Sequence, residues 1–468
     1  MLLSSGDVAD ALSIYGVAGV SMAVLAPTGD GDAIVRTQAG GLADKAANVP
    51  VYDSTWFEIA SLSKPIAAAF ALQYFRERGI PMETRVNSLL ESADSSFRLR
   101  AAAGCPDEWA EGVTITHLLD HTGPQMHYVN GIPRSDKFPA ALELISGTSD
   151  RPAPYGYASL DVKKPPGVEF GYSGGGFLIL QHILELREGR PIADIMREYL
   201  EAGGGAGVSL ALAFDREPTG KQVADGYRDD GGRVDGGRLH FPPLAAGALG
   251  SPAGLLDWLR QLAVAYKRPE GCGCVTHAAA RTVLTSRPDL GSEAFMRARM
   301  GVGMFVFDVA SSDAGRPNRW MLHQAANDGF RGVLLVCFDG PDADRGPRGL
   351  VVLCNGDNKG MLCIAAITRA LLSSKDAFSP PLEGVDLSRV PSMAGGFDTA
   401  GIKQEEIVNL GLKGLVLGAF IRADEASSTE GAVLEDEEAT TRVSKLQANP
   451  DPNPSPIPGL EHQASSAL

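Results

Sequence analysis

The sequence predicts an α/β (α+β) fold in which one antiparallel sheet, formed from N-terminal and C-terminal strands, is flanked by helices and accompanied by a helical subdomain. Two observations lead to this prediction. Strand-like runs stand near both ends of the first 375 residues, at 19–39 and again between 304 and 354. Residues from about 65 to 240 instead carry helical patterns separated by Pro and Gly loops. Strands at both ends with helices between them indicate a sheet closed by the two ends of the chain.

The first elements are a predicted hairpin and a helix. Two apolar runs, 19–26 and 33–39, surround the turn-forming residues Pro-Thr-Gly-Asp-Gly-Asp at 27–32. A helix is predicted from Ser61 to Arg78, because apolar residues recur there at roughly helical spacing and Gly79 follows as a stop.

Helical and strand-like patterns also predict the later elements. Helical patterns are predicted at 115–121, 176–186 and 192–200. Strands are predicted at 304–309, 320–323, 332–338 and 350–354, with a helix at 361–372 after them.

The domain prediction divides the chain at about residue 375. Residues 1–375 form one domain, with a sheet subdomain from about 10–60 and 245–375 and a helical subdomain over about 65–240. Residues 376–424 have weak periodicity and are predicted to be a weakly ordered extension. Residues 425–468 contain an acidic run and a Pro-rich run, a composition that cannot bury a core, so a disordered tail is predicted.

Composition narrows the function classes. The chain has 468 residues, of which 44% are hydrophobic and 21% charged, as in ordinary globular proteins. A formal net charge of -15 argues against a nucleic-acid partner, because such proteins concentrate Lys and Arg on one face. Apolar runs far shorter than about 20 residues predict no membrane span. Asp7 and Asp10 interrupt any secretory h-region, so a cytoplasmic location is expected.

No metal or organic cofactor is expected. Cys272 and Cys274, with His277 nearby, lack the usual spacing of zinc ligands, and no second ligand pair follows them. His117 and His121 are one helical turn apart, but the Glu of the metalloprotease motif is absent. A structural role is therefore the expectation for both histidines.

The sequence Ser61-Leu62-Ser63-Lys64 predicts a nucleophile and its base. A serine hydroxyl is a poor nucleophile until a neighbouring base removes its proton. A lysine one helical turn later supplies that base if burial lowers its pKa. The start of a helix also directs free backbone N–H groups toward developing negative charge.

Around this pair the chain closely resembles the β-lactamase-related serine hydrolases, which include class C β-lactamases, DD-peptidases, esterases and D-aminopeptidases. The similar segments occur in the family's order at 19–64, 115–123, 166–176, 244–252 and 327–331. The resemblance reaches about residue 373 and implies a β-lactamase/transpeptidase-like fold.

The resemblance assigns further site residues. Tyr172 matches the tyrosine of the family's Tyr-x-Asn motif, which acts as a base in acylation and as an acid toward the leaving group. Gly174 replaces the Asn of that motif. His323 aligns with the third motif, and Ala326 with the second N–H of an oxyanion hole whose first N–H belongs to Ser61. Ala325 stands where the family usually has Gly.

Three alternatives remain open at this stage. Residues 171–175 fit the G-x-S-x-G elbow of α/β-hydrolases, with Ser173 as nucleophile and His323 in a triad, but no strand pattern precedes them. The altered motifs also fit a catalytically silent binding module. An acyltransferase would use the same Ser61 chemistry with a different acceptor.

The favoured reading is a serine hydrolase acting on an ester or amide through an acyl-enzyme on Ser61. Its expected partner is a small-molecule or peptide-like acyl substrate. Because Gly174 and His323 replace the family's usual Asn and Lys, an esterase or peptidase-like activity is expected over a true β-lactamase. The substrate's identity and the oligomeric state do not follow from the sequence.

Overall fold

A computed structural model describes residues 1–124, 126, 129–148, 150–202, 211–287, 298–313, 315–390, 412 and 414–427. The strands are β1 (Gly19–Pro27), β2 (Ala33–Asp44), β3 (Val49–Pro50), β4 (Phe57–Glu58), β5 (Ile132–Pro133), β6 (Leu212–Ala213), β7 (Leu239–His240), β8 (Leu249–Gly250), β9 (Arg299–Met300), β10 (Phe305–Val309), β11 (Asn318–Asn327), β12 (Phe330–Asp339) and β13 (Arg348–Cys354). The helices are α1 (Ser5–Tyr15), α2 (Ser63–Glu77), α3 (Val86–Ser92), α4 (Asp107–Glu111), α5 (Ile115–Leu119), α6 (Ala141–Ile145), α7 (Gly174–Glu188), α8 (Ile192–Glu201), α9 (Pro252–Lys267), α10 (His277–Val283), α11 (Asn358–Ser373) and α12 (Ala423–Ser427).

One eight-stranded antiparallel sheet organises the described part of the chain, in the order β3-β2-β1-β13-β12-β11-β10-β9. The predicted hairpin is confirmed, with Gly19 opposite Gly41 and Pro27 opposite Ala33. Val20 of β1 pairs with Cys354 of β13. The N-terminal and C-terminal strands therefore close the sheet at its centre, as the sequence predicts.

Both faces of this sheet are buried. Alternate residues of β1 point to opposite sides, so that Val20 and Met22 join one core while Ala23 and Leu25 join the other. Helices α1 and α11 cover the first face, and α9 lies on the second. The second core continues into the helical region and includes the buried residues of α2.

Helix α1 is an element that the sequence analysis missed. The Oγ atom of Ser4 accepts a hydrogen bond from the N–H of Asp7 at 3.1 Å, which caps the helix. Gly16 ends it in the left-handed conformation, with φ of 65°. Val8, Leu12 and Tyr15 are its buried residues.

Described residues near the end of the predicted extension over 376–424 contact the sheet, and the extension itself stays a prediction. The ring of Phe420 is buried and lies with its centroid 5.2 Å from that of Trp320 and 5.5 Å from that of Phe307. Arg422 forms a β-bridge with Val309 at the end of β10. Residues 420–422 therefore pack on the sheet. The predicted tail lies outside the described residues from 428 onward.

Among the described residues, the helices are all too short or too polar to cross a bilayer.

Candidate active site

Ser61 lies in a buried turn between β4 and α2. A 3₁₀ turn, Ala60–Leu62, carries the serine and continues into the helix, which begins at Ser63 rather than at Ser61. The residue before the serine, Ala60, has φ of 46°, a left-handed conformation that is uncommon for a residue with a side chain. Local strain of this kind is concentrated at functional sites, because the surrounding structure must hold it in place.

Lys64 contacts Ser61, the predicted nucleophile, directly. Its Nζ atom lies 3.0 Å from Ser61 Oγ and donates a hydrogen bond to the carbonyl oxygen of Ala245 at 2.7 Å. The side chain is 2% exposed, and this burial lowers the pKa of Lys64 to about 7. A large fraction of the lysine is therefore neutral near pH 7 and has a lone pair available for the serine proton.

Ala245 belongs to a π-helical turn, Pro243–Gly247, within the segment that carries the family resemblance at 244–252. Such turns are rare and occur frequently at functional sites. Here the turn supplies the acceptor that fixes the lysine head group beside Ser61.

Aromatic rings surround the lysine. Its Nζ atom lies 4.9 Å from the centroid of the Tyr172 ring and 5.8 Å from that of Phe177. The Tyr172 ring also stacks on His121, with centroids 4.4 Å apart. The structure thus brings the face of the Tyr172 ring next to Lys64.

The two histidines first weighed as metal ligands have other contacts. His117 Nδ1 accepts a hydrogen bond from the N–H of Thr114 at 3.2 Å and so caps α5. His121 Nδ1 accepts from the N–H of Ser173 at 3.0 Å, while its ring supports Tyr172. No cluster of metal-ligating side chains occurs in the part of the chain that the structure describes.

His323 lies on β11 at the edge of this aromatic group. Its ring centroid is 5.3 Å from that of Phe305 and 6.1 Å from that of Tyr172. Burial, aided by the charge of Lys64, lowers the pKa of His323 to about 3, so the ring is neutral at working pH. Its Nε2 atom is buried and has no hydrogen-bond partner among the described residues.

The turn that carries Ser61 packs against β11. Ala326 is on this strand opposite Arg331 of β12. Ala325, where the family usually has Gly, is fully buried, and its Cβ atom approaches Gly332. The structure therefore brings β11 beside the turn that carries Ser61, and the role of Ala326 as a second oxyanion donor stays a prediction.

Ser173, the alternative nucleophile, is the N-cap of α7. Its Oγ atom accepts a hydrogen bond from the N–H of Gly176 at 3.3 Å and lies 3.3 Å from both N and O of Met126. Residues 163–172, which precede Ser173, contain no strand that could lead into a nucleophile elbow, and Val162 before them forms only an isolated bridge. The α/β-hydrolase alternative is therefore wrong.

Two buried residues at the site were missed by the sequence reasoning. Asn327 Nδ2 donates hydrogen bonds to Glu58 Oε2 at 2.6 Å and to the carbonyl oxygen of Ala246 at 3.0 Å. Burial raises the pKa of Glu58 to about 8. The sequence signal that could have indicated Glu58 is an acidic residue within the otherwise apolar run 56–60, just before Ser61.

Known proteins resemble this chain over most of its length. A family model described as Beta-lactamase matches residues 7–373. Esterase EstB of Burkholderia gladioli is 34% identical over 102 residues, which span 22% of this chain and 23% of the esterase, so the chain matches about a quarter of that relative's length.

Solved structures show the same fold at low sequence identity. D-alanine carboxypeptidase AmpC from Burkholderia cenocepacia superimposes with a TM-score of 0.54 at 17% identity, covering 78% of this chain and 96% of that one. D-amino acid amidase from Ochrobactrum anthropi SV3 gives a TM-score of 0.50 at 19% identity, covering 75% and 90%. At these identities, the likeness concerns the fold alone.

Proposed function

The chain belongs to the beta-lactamase family of serine hydrolases, and we propose that it cleaves an ester or amide through an acyl-enzyme on Ser61. The observation that carries this proposal is the 3.0 Å contact between Ser61 Oγ and the Nζ atom of a buried Lys64. A lysine whose pKa is about 7 can take up the serine proton without a metal or a separate histidine base.

The proposed reaction has two halves. In acylation, neutral Lys64 removes the hydroxyl proton as Ser61 Oγ attacks the carbonyl carbon, and the N–H groups of Ser61 and Ala326 bind the oxyanion. Tyr172 donates its phenolic proton to the leaving alcohol or amine as the bond to the carbonyl carbon breaks, and the proton that Lys64 took from Ser61 then passes to Tyr172, so that both groups regain their original forms. In deacylation, water attacks the acyl-enzyme, loses its proton to the same basic groups, and Ser61 leaves with its proton restored.

The acyl substrate is proposed to be an ester or a peptide-like amide rather than a β-lactam. Gly174, in place of the family's Asn, leaves no side-chain amide at the start of α7 to bind a substrate carbonyl. The relatives reported above include proteins named as an esterase, a D-alanine carboxypeptidase and a D-amino acid amidase, which fits this preference.

A substrate panel tests the proposal. We expect turnover of p-nitrophenyl esters or D-amino-acid amides to exceed turnover of a chromogenic cephalosporin, and Ser61→Ala to abolish the activity on each. Rapid cephalosporin hydrolysis would contradict the preference for esters and amides. Full activity in Ser61→Ala would contradict the nucleophile itself.

A further inference from the structure

Three elements that carry the proposed catalytic groups meet at one buried amide. Asn327 ends β11, is 4% exposed, and uses both hydrogens of Nδ2. One hydrogen bond reaches Glu58, which lies on β4 three residues before Ser61. The other reaches the carbonyl oxygen of Ala246, which adjoins the residue that binds Lys64.

We propose that Glu58 and Asn327 are positioning residues, which act on the reaction by holding β4, the π-helical turn and β11 together around Ser61. This inference rests on the proposed function of Ser61 and deepens it. Neither side chain needs to touch the substrate, because each acts through the backbone that carries a catalytic group.

Arg331 also fixes the backbone of Asn327. Arg331 Nη1 donates to the carbonyl oxygens of Asn327 at 2.6 Å and of Phe330 at 2.8 Å. The Nη2 atom of the same guanidinium pairs with Asp357, just before α11, at 2.5 Å. The backbone and the side chain of Asn327 are therefore both fixed. Misplacing a reacting group by about 1 Å can reduce a rate about 10²-fold, so such fixing is functionally significant.

Glu58 acts in this network as a neutral acid. Burial is the main cause of its raised pKa, and the charged groups that face it are Arg238 and Arg134, which lower the pKa, and Asp328, which raises it. Its Oε1 atom is buried without a hydrogen-bond partner among the described residues. Arg216 and His240 line the same small cavity. A neutral carboxyl group that accepts from Asn327 can be replaced by the amide of Gln, which has the same shape.

The chain offers a matched control in another buried asparagine. Asn87 Nδ2 donates to the carbonyl oxygen of Leu99 at 3.1 Å and to Glu111 Oε1 at 2.9 Å, so it also joins a backbone carbonyl to a Glu carboxyl group. Asn87→Ala thus removes an equivalent pair of hydrogen bonds, together with one that Asn87 Oδ1 accepts from the N–H of Leu99 at 2.9 Å, from a helix, α3, that carries no proposed catalytic group.

The experiment compares Asn327→Ala, Glu58→Ala, Glu58→Gln, Asn87→Ala and Ser61→Ala by kcat, KM and Tm on one p-nitrophenyl ester. We expect Asn327→Ala and Glu58→Ala to lower kcat by about 30-fold or more with KM changed less than about threefold. Glu58→Gln should stay within about threefold of wild type, and Asn87→Ala should lower Tm while leaving kcat within about twofold.

The pH dependence of kcat/KM gives a second measurement. kcat/KM should rise with pH as Lys64 loses its proton, and a loss of stability alone would not change the pH at which this rise, the acidic limb, occurs. Loosening the π-helical turn admits water to Lys64, so we expect Asn327→Ala to shift this limb upward, toward the ordinary lysine pKa. Tyr172, His323 and Ser61 face the lysine and are unchanged in that variant.

The inference is overturned if Asn327→Ala and Asn87→Ala lose the same fraction of kcat, or if Glu58→Gln is as impaired as Glu58→Ala. If Asn327→Ala does not fold, the comparison of the two Glu58 variants decides. Failure of the proposed function gives a different result, because Ser61→Ala would then keep its activity.

Discussion

Lys64 Nζ lies 3.0 Å from Ser61 Oγ and 2.7 Å from the carbonyl oxygen of Ala245, in a site where the lysine is almost fully buried. The hydrogen bond to Ala245 orients the amine, and the contact with Ser61 Oγ places the amine beside the proposed nucleophile. Because burial lowers the pKa of Lys64 to about 7, the lysine can exchange a proton near neutral pH.

The pH dependence of kcat/KM tests whether Lys64 exchanges a proton near neutral pH. Lys64 is the base only in its neutral form, so kcat/KM should rise with pH through an acidic limb near 7 and level off above it. The measurement is kcat/KM on an uncharged ester between pH 5 and 9. A flat profile across pH 7 would contradict a lysine base.

Lys64→Met should make the protein more stable while abolishing its activity. The pKa of Lys64 is about 7 in the folded protein and about 10.5 when unfolded, so the unfolded state binds more protons between these values. Wild-type stability therefore rises with pH across that window. Urea unfolding should show the variant's advantage to be larger at pH 7 than at pH 9.5, and an equal advantage at both would refute the linkage.

Tyr172→Phe tests the phenol separately from the ring. Phenylalanine keeps the stack on His121 and the ring face toward Lys64, so folding should be preserved. Loss of the hydroxyl should lower kcat by about 10²-fold with little change in KM, as expected for a group that transfers a proton in the transition state. A variant with unchanged kcat and normal Tm would remove Tyr172 from the mechanism.

Ser173→Ala tests whether Ser173 acts as the cap of α7 or as a nucleophile. The hydroxyl caps α7, so its removal should lower the free energy of unfolding by about 1 kcal/mol and leave kcat within about twofold. Chemical denaturation and steady-state kinetics on the same preparation check both parts.

Phe420→Ala tests whether the segment beyond residue 375 belongs to the folded domain. Its ring packs on Trp320 and Phe307, so truncation should lower the free energy of unfolding by about 3 kcal/mol or more. Ile14→Ala is the control, because Ile14 is 53% exposed and should change stability by less than about 0.5 kcal/mol. Equal effects of the two variants would contradict the packing.

The sequence predicts the elements whose periodicity is strong. The hairpin, the four long C-terminal strand segments and the helix that follows Ser61 are in place, because alternating or helical apolar patterns decide which face is buried. Helix α1 was not predicted, because it buries only Val8, Leu12 and Tyr15 and leaves the apolar Ile14 exposed, which weakens its helical pattern.

Residues far apart in the chain account for what the sequence could not predict at the site. Ser61 and Lys64 are a local pair, which spacing alone brings together. The contact between Glu58 and Asn327 joins positions 269 residues apart and depends on how β4, β11 and the π-helical turn meet. Similarly, Phe420 reaches the sheet from a segment of short turns, where no periodic pattern indicates a partner.

The most direct test of the central claim is to label the protein with a fluorophosphonate probe and locate the label by peptide mass spectrometry. Wild type and Ser173→Ala should carry the label on Ser61, and Ser61→Ala should carry none. A label on Ser173, or no label on folded wild-type protein, would contradict the assignment of Ser61 as the nucleophile.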